Sequence, residues 1–216
     1  MNNNVLKLEM VSDVSCPWCI IAYYALEQAL NKLPSAVAVD LTWSPFEINP
    51  RMAKEGQPVQ AYLAEKYGMS STQQSQNIAQ IEARGRAVGF IFKPLVERHV
   101  YNSFDCHRLL SLASEKNLAT PLKKALLHSY FEQGEDISDH QILTEVASGV
   151  GLNQQEIKSA LTDDELAQRV TEHMEQVKAL GITSVPMLII NNKYGVSGAQ
   201  TPERYFEILT QVLQGE

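Results

Sequence analysis

The sequence predicts an α/β fold in which two strand-bearing segments are separated by a long helical block. Three observations predict it. Apolar residues alternate, then recur every three or four positions, then alternate again across residues 5–44. Residues 58–180 keep helical spacing, with capping residues at intervals. Residues 186–213 read as strand, turn, strand, helix. The order is β-α-β, helices, β-β-α.

Leu6, Leu8 and Met10 alternate with Lys7 and Glu9, which predicts a strand over 5–11. From Cys16 the period changes. Ala22, Leu26, Ala29, Leu30 and Leu33 share one helical face, and Pro34 ends it. Val37, Val39, Leu41 and Trp43 alternate again, predicting a second strand over 36–44. The middle is expected to be helical throughout. Its candidate caps are Pro58, Ser70, Ser71, Thr120-Pro121, Ser138, Asn153 and Thr162, and Gly68, Gly134, Gly149, Gly151 and Gly181 sit near helix ends. Near the C-terminus, "PMLII" at 186–190 is a short apolar strand. Asn191-Asn192-Lys193 is a tight turn, because Asn tolerates positive φ. "YGVSG" returns as a strand. Pro202 opens a helix whose face carries Tyr205, Phe206, Leu209, Val212 and Leu213.

The 216-residue chain is long enough to bury a proper core, and 44% hydrophobic against 20% charged residues describes a globular protein. A net charge of −7 without a clustered basic run argues against nucleic acid and anionic membranes as partners. MNNNVLKLEM has no secretory signal pattern, and no run of about 18 apolar residues occurs. The expected location is cytoplasmic. Three cysteines do not make a disulfide scaffold; in a reducing compartment a close pair is more often catalytic or metal-binding.

That pair is Cys16 and Cys19, in "SDVSCPWC" at the first strand-to-helix junction. Residues three apart lie one helical turn from each other, so their sulfurs come within bonding reach. At a helix N-terminus, free N–H groups and the positive end of the dipole favour a thiolate. Cys16 is therefore expected to be the exposed attacking sulfur, and Cys19, a turn inside, the buried resolving one. Pro17 suits the first helical turn, and the Pro17-Trp18 pair tunes the thiolate. Zinc is the competing reading. A closed site needs four ligands, and the other candidates, Cys106 and His107, point about 100° apart as helical neighbours, so no metal is expected. Asp13 reads as an N-terminal cap, with a buried carboxylate as the alternative.

With "CPWC", the segments "PFEINP" (45–50), "NSFDCHRLL" (102–110), "GITSVP" (181–186) and "YGVSGAQ" (194–200) run through the chain in order. Together they resemble the DsbA-like branch of the thioredoxin superfamily, in its FrnE-like group. The resemblance implies a thioredoxin fold with a large all-helical insertion. The thioredoxin-like part is expected at 1–57 plus 181–216 and the insertion at 58–180. It implies that Pro186 is a cis proline beside the cysteines, and that Val185 offers its backbone to an extended substrate. It further suggests that Phe46, Asn49, Asn102, His107 and Arg108 face the dithiol across a cleft. Gly198 and Gln200 would open the last helix, where related glutathione-using enzymes hold the acidic end of that tripeptide. Relatives carry N-T-x-x-A-H-R where this chain has Ser103 and Cys106, so Cys106 is read as a small buried filler.

The function expected is a thiol–disulfide oxidoreductase, tilted toward reductase or isomerase. It acts on protein or small-molecule thiols and disulfides, with no bound cofactor and with glutathione as a candidate co-substrate. A homodimer is a candidate assembly. One alternative is a glutathione-dependent isomerase or transferase, of the 2-hydroxychromene-2-carboxylate isomerase or kappa-class kind. Those relatives carry Ser where Cys16 stands. A second alternative is a chaperone-like module that holds unfolded chains without using its thiols.

Overall fold

In the computed structural model, which describes residues 5–215, four strands form one mixed sheet in the order β2-β1-β5-β6. Residues 1–4, part of the N-terminal stretch read above for a signal, lie outside the described residues. Strand β1 (Val5–Ser12) runs parallel to β2 (Ala38–Pro45), from Val5 opposite Ala38 to Ser12 opposite Pro45. A parallel pair needs a crossover, and α1 (Pro17–Leu30) supplies it. On the other side of β1 lies β5 (Met187–Ile190), antiparallel, followed by β6 (Tyr194–Ser197) across a turn. Asn191 and Asn192 take φ of 52° and 55° there, the left-handed conformation that this tight turn over 191–193 requires and that Asn tolerates.

Helix α1 is apolar nearly all round, because it is covered on several sides. Ile20, Ile21, Ala22, Ala25, Leu26 and Ala29 are fully buried, and the helix packs against α9 (Pro202–Gln214). Between β2 and β5 the chain forms α2 (Val59–Tyr67), α3 (Ser71–Ala87), α4 (Phe104–Ser114), α5 (Ala119–His128), α6 (His140–Gly149), α7 (Gln154–Thr162) and α8 (Asp164–Ala179). α4, α5 and α8 pack against β2, so the helical block and the sheet share one continuous core. No helix among the described residues is long and apolar enough to cross a membrane.

The structure amends several readings. The middle is not helical throughout: β3 (Gln57–Pro58) and β4 (His99–Val100) form a small antiparallel pair, and Leu95–Glu97 is a 3-10 turn. Ser70 caps α3 in a full capping box with Gln73, and Asn153 caps α7. By contrast, Asp139 rather than Ser138 caps α6, Asp163 rather than Thr162 caps α8, and α5 begins at Ala119, ahead of Thr120. In these pairs an Asp sits one residue beyond the hydroxyl, and its stronger acceptor takes the cap. The last helix begins at Pro202, capped by Thr201, so Gly198 and Gln200 belong to the preceding turn and not to the helix.

Candidate active site

β1 ends at Ser12, and the chain turns through Asp13-Val14-Ser15 into α1 with Cys16 at the N-cap. Pro17 is the first helical residue, where an N–H has no intrahelical partner to lose. Cys16 makes no side-chain capping bond. Its Sγ lies 3.9 Å from the Val185 carbonyl oxygen, and the Val185–Pro186 peptide bond is cis. Cys19 sits one turn on. All three cysteines are free thiols.

Cys16 is not the exposed sulfur that the sequence suggests. It is only 3% exposed and Cys19 1%. The reason is the cleft that Cys16 opens into, rather than bulk solvent. This cavity of about 280 Å³ is roofed by α2 and α3 and shared by Ser15, Pro17, Trp18 and Val185. Its far wall is apolar and aromatic, with Val59, Tyr62 and Leu63 from α2 and Ile78 and Ile81 from α3. Burial pushes the Cys19 thiol well up from its ordinary value, and the neighbouring Cys16 adds to this. Lys123 and a backbone hydrogen bond from Asp13 pull the other way.

Asp13 is a buried carboxylate and not a helix cap. It is 0% exposed. One oxygen accepts the Ser15 N–H at 2.9 Å and the other accepts the Ile48 N–H at 2.7 Å. It therefore ties the loop before Cys16 to the loop after β2. His107 approaches the same carboxylate at 3.9 Å and pairs with the Phe46 carbonyl at 3.1 Å. Burial, with the nearby Lys123 charge, pulls that imidazole down to about 4.

Of the candidate contacts, Asn49 lines the cleft, and its Oδ1 accepts from Lys66 Nζ at 2.6 Å. The others do not line it. Phe46 is buried in a small cluster with Val11, Val177 and Ile182. Asn102 bonds to Met52 O and to the Phe104 N–H, which shapes the entry to α4. His107 is 3% exposed behind the dithiol loop. Arg108 donates to Leu161 O, pairs with Asp105 and lies over Phe104. His107 and Arg108 face away from the cleft because α4 packs against β2, α5, α7 and α8 instead of across it. Gly198 and Gln200 do not line the cleft either; Gln200 Nε2 closes its own turn on Ser197 O. Cys106 is fully buried, donates to Ile137 O at 3.4 Å, and is pushed well up by burial.

Sequence reasoning missed Arg98. It lines the cleft, donates to Ser15 O at 3.1 Å and to the Tyr130 hydroxyl at 3.0 Å, and holds the loop before Cys16 from above. A lone Arg in "ERHVYN" gives no signal for this. It also missed the apolar roof. Val59, Tyr62 and Leu63 have one-face helical spacing, but spacing does not say what a face covers. Lys123 was missed for the opposite reason: one of two adjacent lysines on a helix reads as surface, yet it is 1% exposed.

The DSBA-like thioredoxin domain family matches residues 7–210. A solved structure described as a probable DsbA oxidoreductase from Streptomyces coelicolor is 34% identical. The match covers 98% of this chain and 91% of that one, with a TM-score of 0.90. A cytosolic disulfide reductase, DsbM from Pseudomonas aeruginosa, solved with GSH, shares the fold at 16% identity and TM-score 0.66 (96% and 99% covered). A 2-hydroxychromene-2-carboxylate isomerase shares it at 12% and 0.68 (96% and 95% covered). The chain belongs to the DSBA-like thioredoxin domain family, and its fold is the DsbA-like thioredoxin fold.

Proposed function

We propose that this member of the DSBA-like family is a thiol–disulfide oxidoreductase working through Cys16 and Cys19. The observation that carries the reading is a pair of free thiols one helical turn apart at the start of α1. The first opens into a cleft beside the Val185 carbonyl, and the second is buried behind it. The Cys16 thiolate attacks a substrate disulfide R–S–S–R′. An S–S bond forms between Cys16 and R–S, and R′–S⁻ leaves and takes up a proton. Cys19 then gives up its proton and attacks Cys16 Sγ, releasing R–S⁻. The dithiol loses two electrons to the substrate and ends as a Cys16–Cys19 disulfide. An external thiol, glutathione among the candidates, returns those electrons by the reverse exchange. Burial, with the neighbouring Cys16, keeps the Cys19 thiol from ionising readily, which makes it a poor first attacker and leaves the opening step to Cys16.

The isomerase shares the fold, but this chain keeps both thiols where that class is expected to carry Ser at the first position. The chaperone-like alternative predicts binding that is indifferent to both thiols. Trapping decides among them. Cys19→Ser is expected to accumulate a mixed disulfide on Cys16 when the cell's proteins and small thiols are presented to it. The double replacement of Cys16 and Cys19 by Ser is expected to capture nothing. Adducts on Cys106, or equal capture by the double variant, would reject the dithiol mechanism. The captured species names the substrate class.

A further inference from the structure

A second, more open groove of about 700 Å³ adjoins the dithiol cleft, lined by Pro50, Arg51, Met52, Gln57 and Glu65. Groove and cleft share Ile48, Asn49 and Tyr62. Lys66 stands where they meet. It lines the groove, and its Nζ donates to the Ile48 carbonyl at 2.7 Å and to Asn49 Oδ1 at 2.6 Å. The same ammonium lies 5.4 Å from the Tyr62 ring centre. Burial draws it down from its ordinary value, and the Asp13 charge opposes this.

The two sides of this junction are held differently. Ile48 is pinned, because its N–H donates to the buried Asp13 that also fixes the loop before Cys16. Helix α2 sits on less. Its Val59, Tyr62 and Leu63 pack with Val100 in a small cluster separate from the main core. The N-terminal end of α2 is tied down: the Val59 N–H donates to Arg98 O at 2.9 Å, and Gln74 Nε2 donates to Gln60 O at 3.1 Å. Its C-terminal end turns away at Gly68, with φ of 63°, and Lys66 reaches across from this end. Lys66 is exposed. Bonds from an exposed ammonium contribute little, and a segment with few buried apolar contacts opens locally.

The closed cleft, at about 280 Å³, is of a size for a small molecule. A polypeptide that brings a disulfide to Cys16 needs more, because its chain continues on both sides of the reacting sulfur. The groove supplies that room, with Pro50 and Met52 beside the polar Arg51 and Gln57. Building on the dithiol reading above, we propose that Lys66 is a gate that sets which disulfides Cys16 meets. With Lys66 bonded to Ile48 and Asn49, the cleft takes low-molecular-weight disulfides. With Lys66 withdrawn, cleft and groove join, and an extended polypeptide lies through both with its cysteine at Cys16.

The test compares two substrates that share one thiol: bis(2-hydroxyethyl) disulfide, and a short unstructured peptide whose central cysteine carries 2-hydroxyethyl thiol as a mixed disulfide. The readout is the ratio of kcat/KM for the peptide to kcat/KM for the small disulfide. Lys66→Met is expected to raise that ratio by about threefold or more. Lys66→Arg, which still donates to both oxygens, is expected to stay near the parent. An unchanged or lower ratio in Lys66→Met, or an equal rise in Lys66→Arg, overturns the gate. Reduction of neither substrate by the parent would sink the dithiol reading instead, and access to Cys16 then decides the gate on its own. Peptide mapping should show a bulky polyethylene-glycol maleimide gaining on iodoacetamide at Cys16 in Lys66→Met. Equal relative rates in variant and parent overturn the proposal.

Discussion

Asp13 and Glu47 are two carboxyls near the same loop, and their surroundings treat them oppositely. Asp13 is fully buried but accepts two backbone N–H bonds, so its charge is met. Each bond to a charged acceptor contributes roughly 1.5–3 kcal/mol, so Asp13→Ala should lower stability by about 3 kcal/mol or more in urea unfolding. A loss below about 1 kcal/mol would show that the clamp is dispensable. Glu47 has a buried oxygen without a partner, and burial together with the Asp13 charge raises its carboxyl to about 7. Below pH 4.5 Glu47 is neutral whether the chain is folded or not. As pH rises from 4.5 through 7, the unfolded chain ionises it freely while the fold resists, so stability falls. Glu47→Gln removes that fall. The variant's melting temperature should match the parent's near pH 4.5 and exceed it at pH 8; an equal gap at both values would contradict the shift.

At the scale of elements, close approach matters as much as periodicity. Gly85 lies inside α3, where glycine is normally a cost. A Cβ there would meet Phe92 Cε2 at 2.3 Å and the Phe90 carbonyl at 3.1 Å. Gly85→Ala is therefore expected to destabilise by about 1–3 kcal/mol through overpacking, despite the better helix propensity. A gain in melting temperature would show that the Phe92 ring yields. The strands, the first and last helices and the Asn191-Asn192 turn were legible in the sequence, because burial there follows period and turn chemistry. The β3–β4 pair was not. Two residues per strand leave no period to read, and only the meeting of Gln57-Pro58 with His99-Val100 in space creates it. The caps were half legible, since Ser70 and Asn153 stand alone at their helix starts while Asp139 and Asp163 each follow a competing hydroxyl.

At the scale of the whole molecule, the helical block does two things to one loop. From above, α2 and α3 roof the dithiol and turn an open helix end into an apolar cleft, which is why Cys16 is buried and not exposed. From behind, α5 brings Lys123 close enough to ease the ionisation of Cys19. Neither was visible along the chain, because both depend on how residues far apart in sequence meet. The CPWC pair itself was legible, since its spacing and its strand-to-helix context are local. Phe46, His107 and Arg108 do not line the cleft, and a motif's presence does not say which way its side chains turn. The central claim is that Cys16 and Cys19 form one redox unit and Cys106 stands apart. The direct measurement is peptide mapping by mass spectrometry after the reduced chain meets an equimolar protein disulfide. The account predicts a new Cys16–Cys19 disulfide, a reduced substrate and a free Cys106 thiol. A reduced substrate with Cys106 in the new bond, or an unchanged dithiol beside an unchanged substrate, would contradict it.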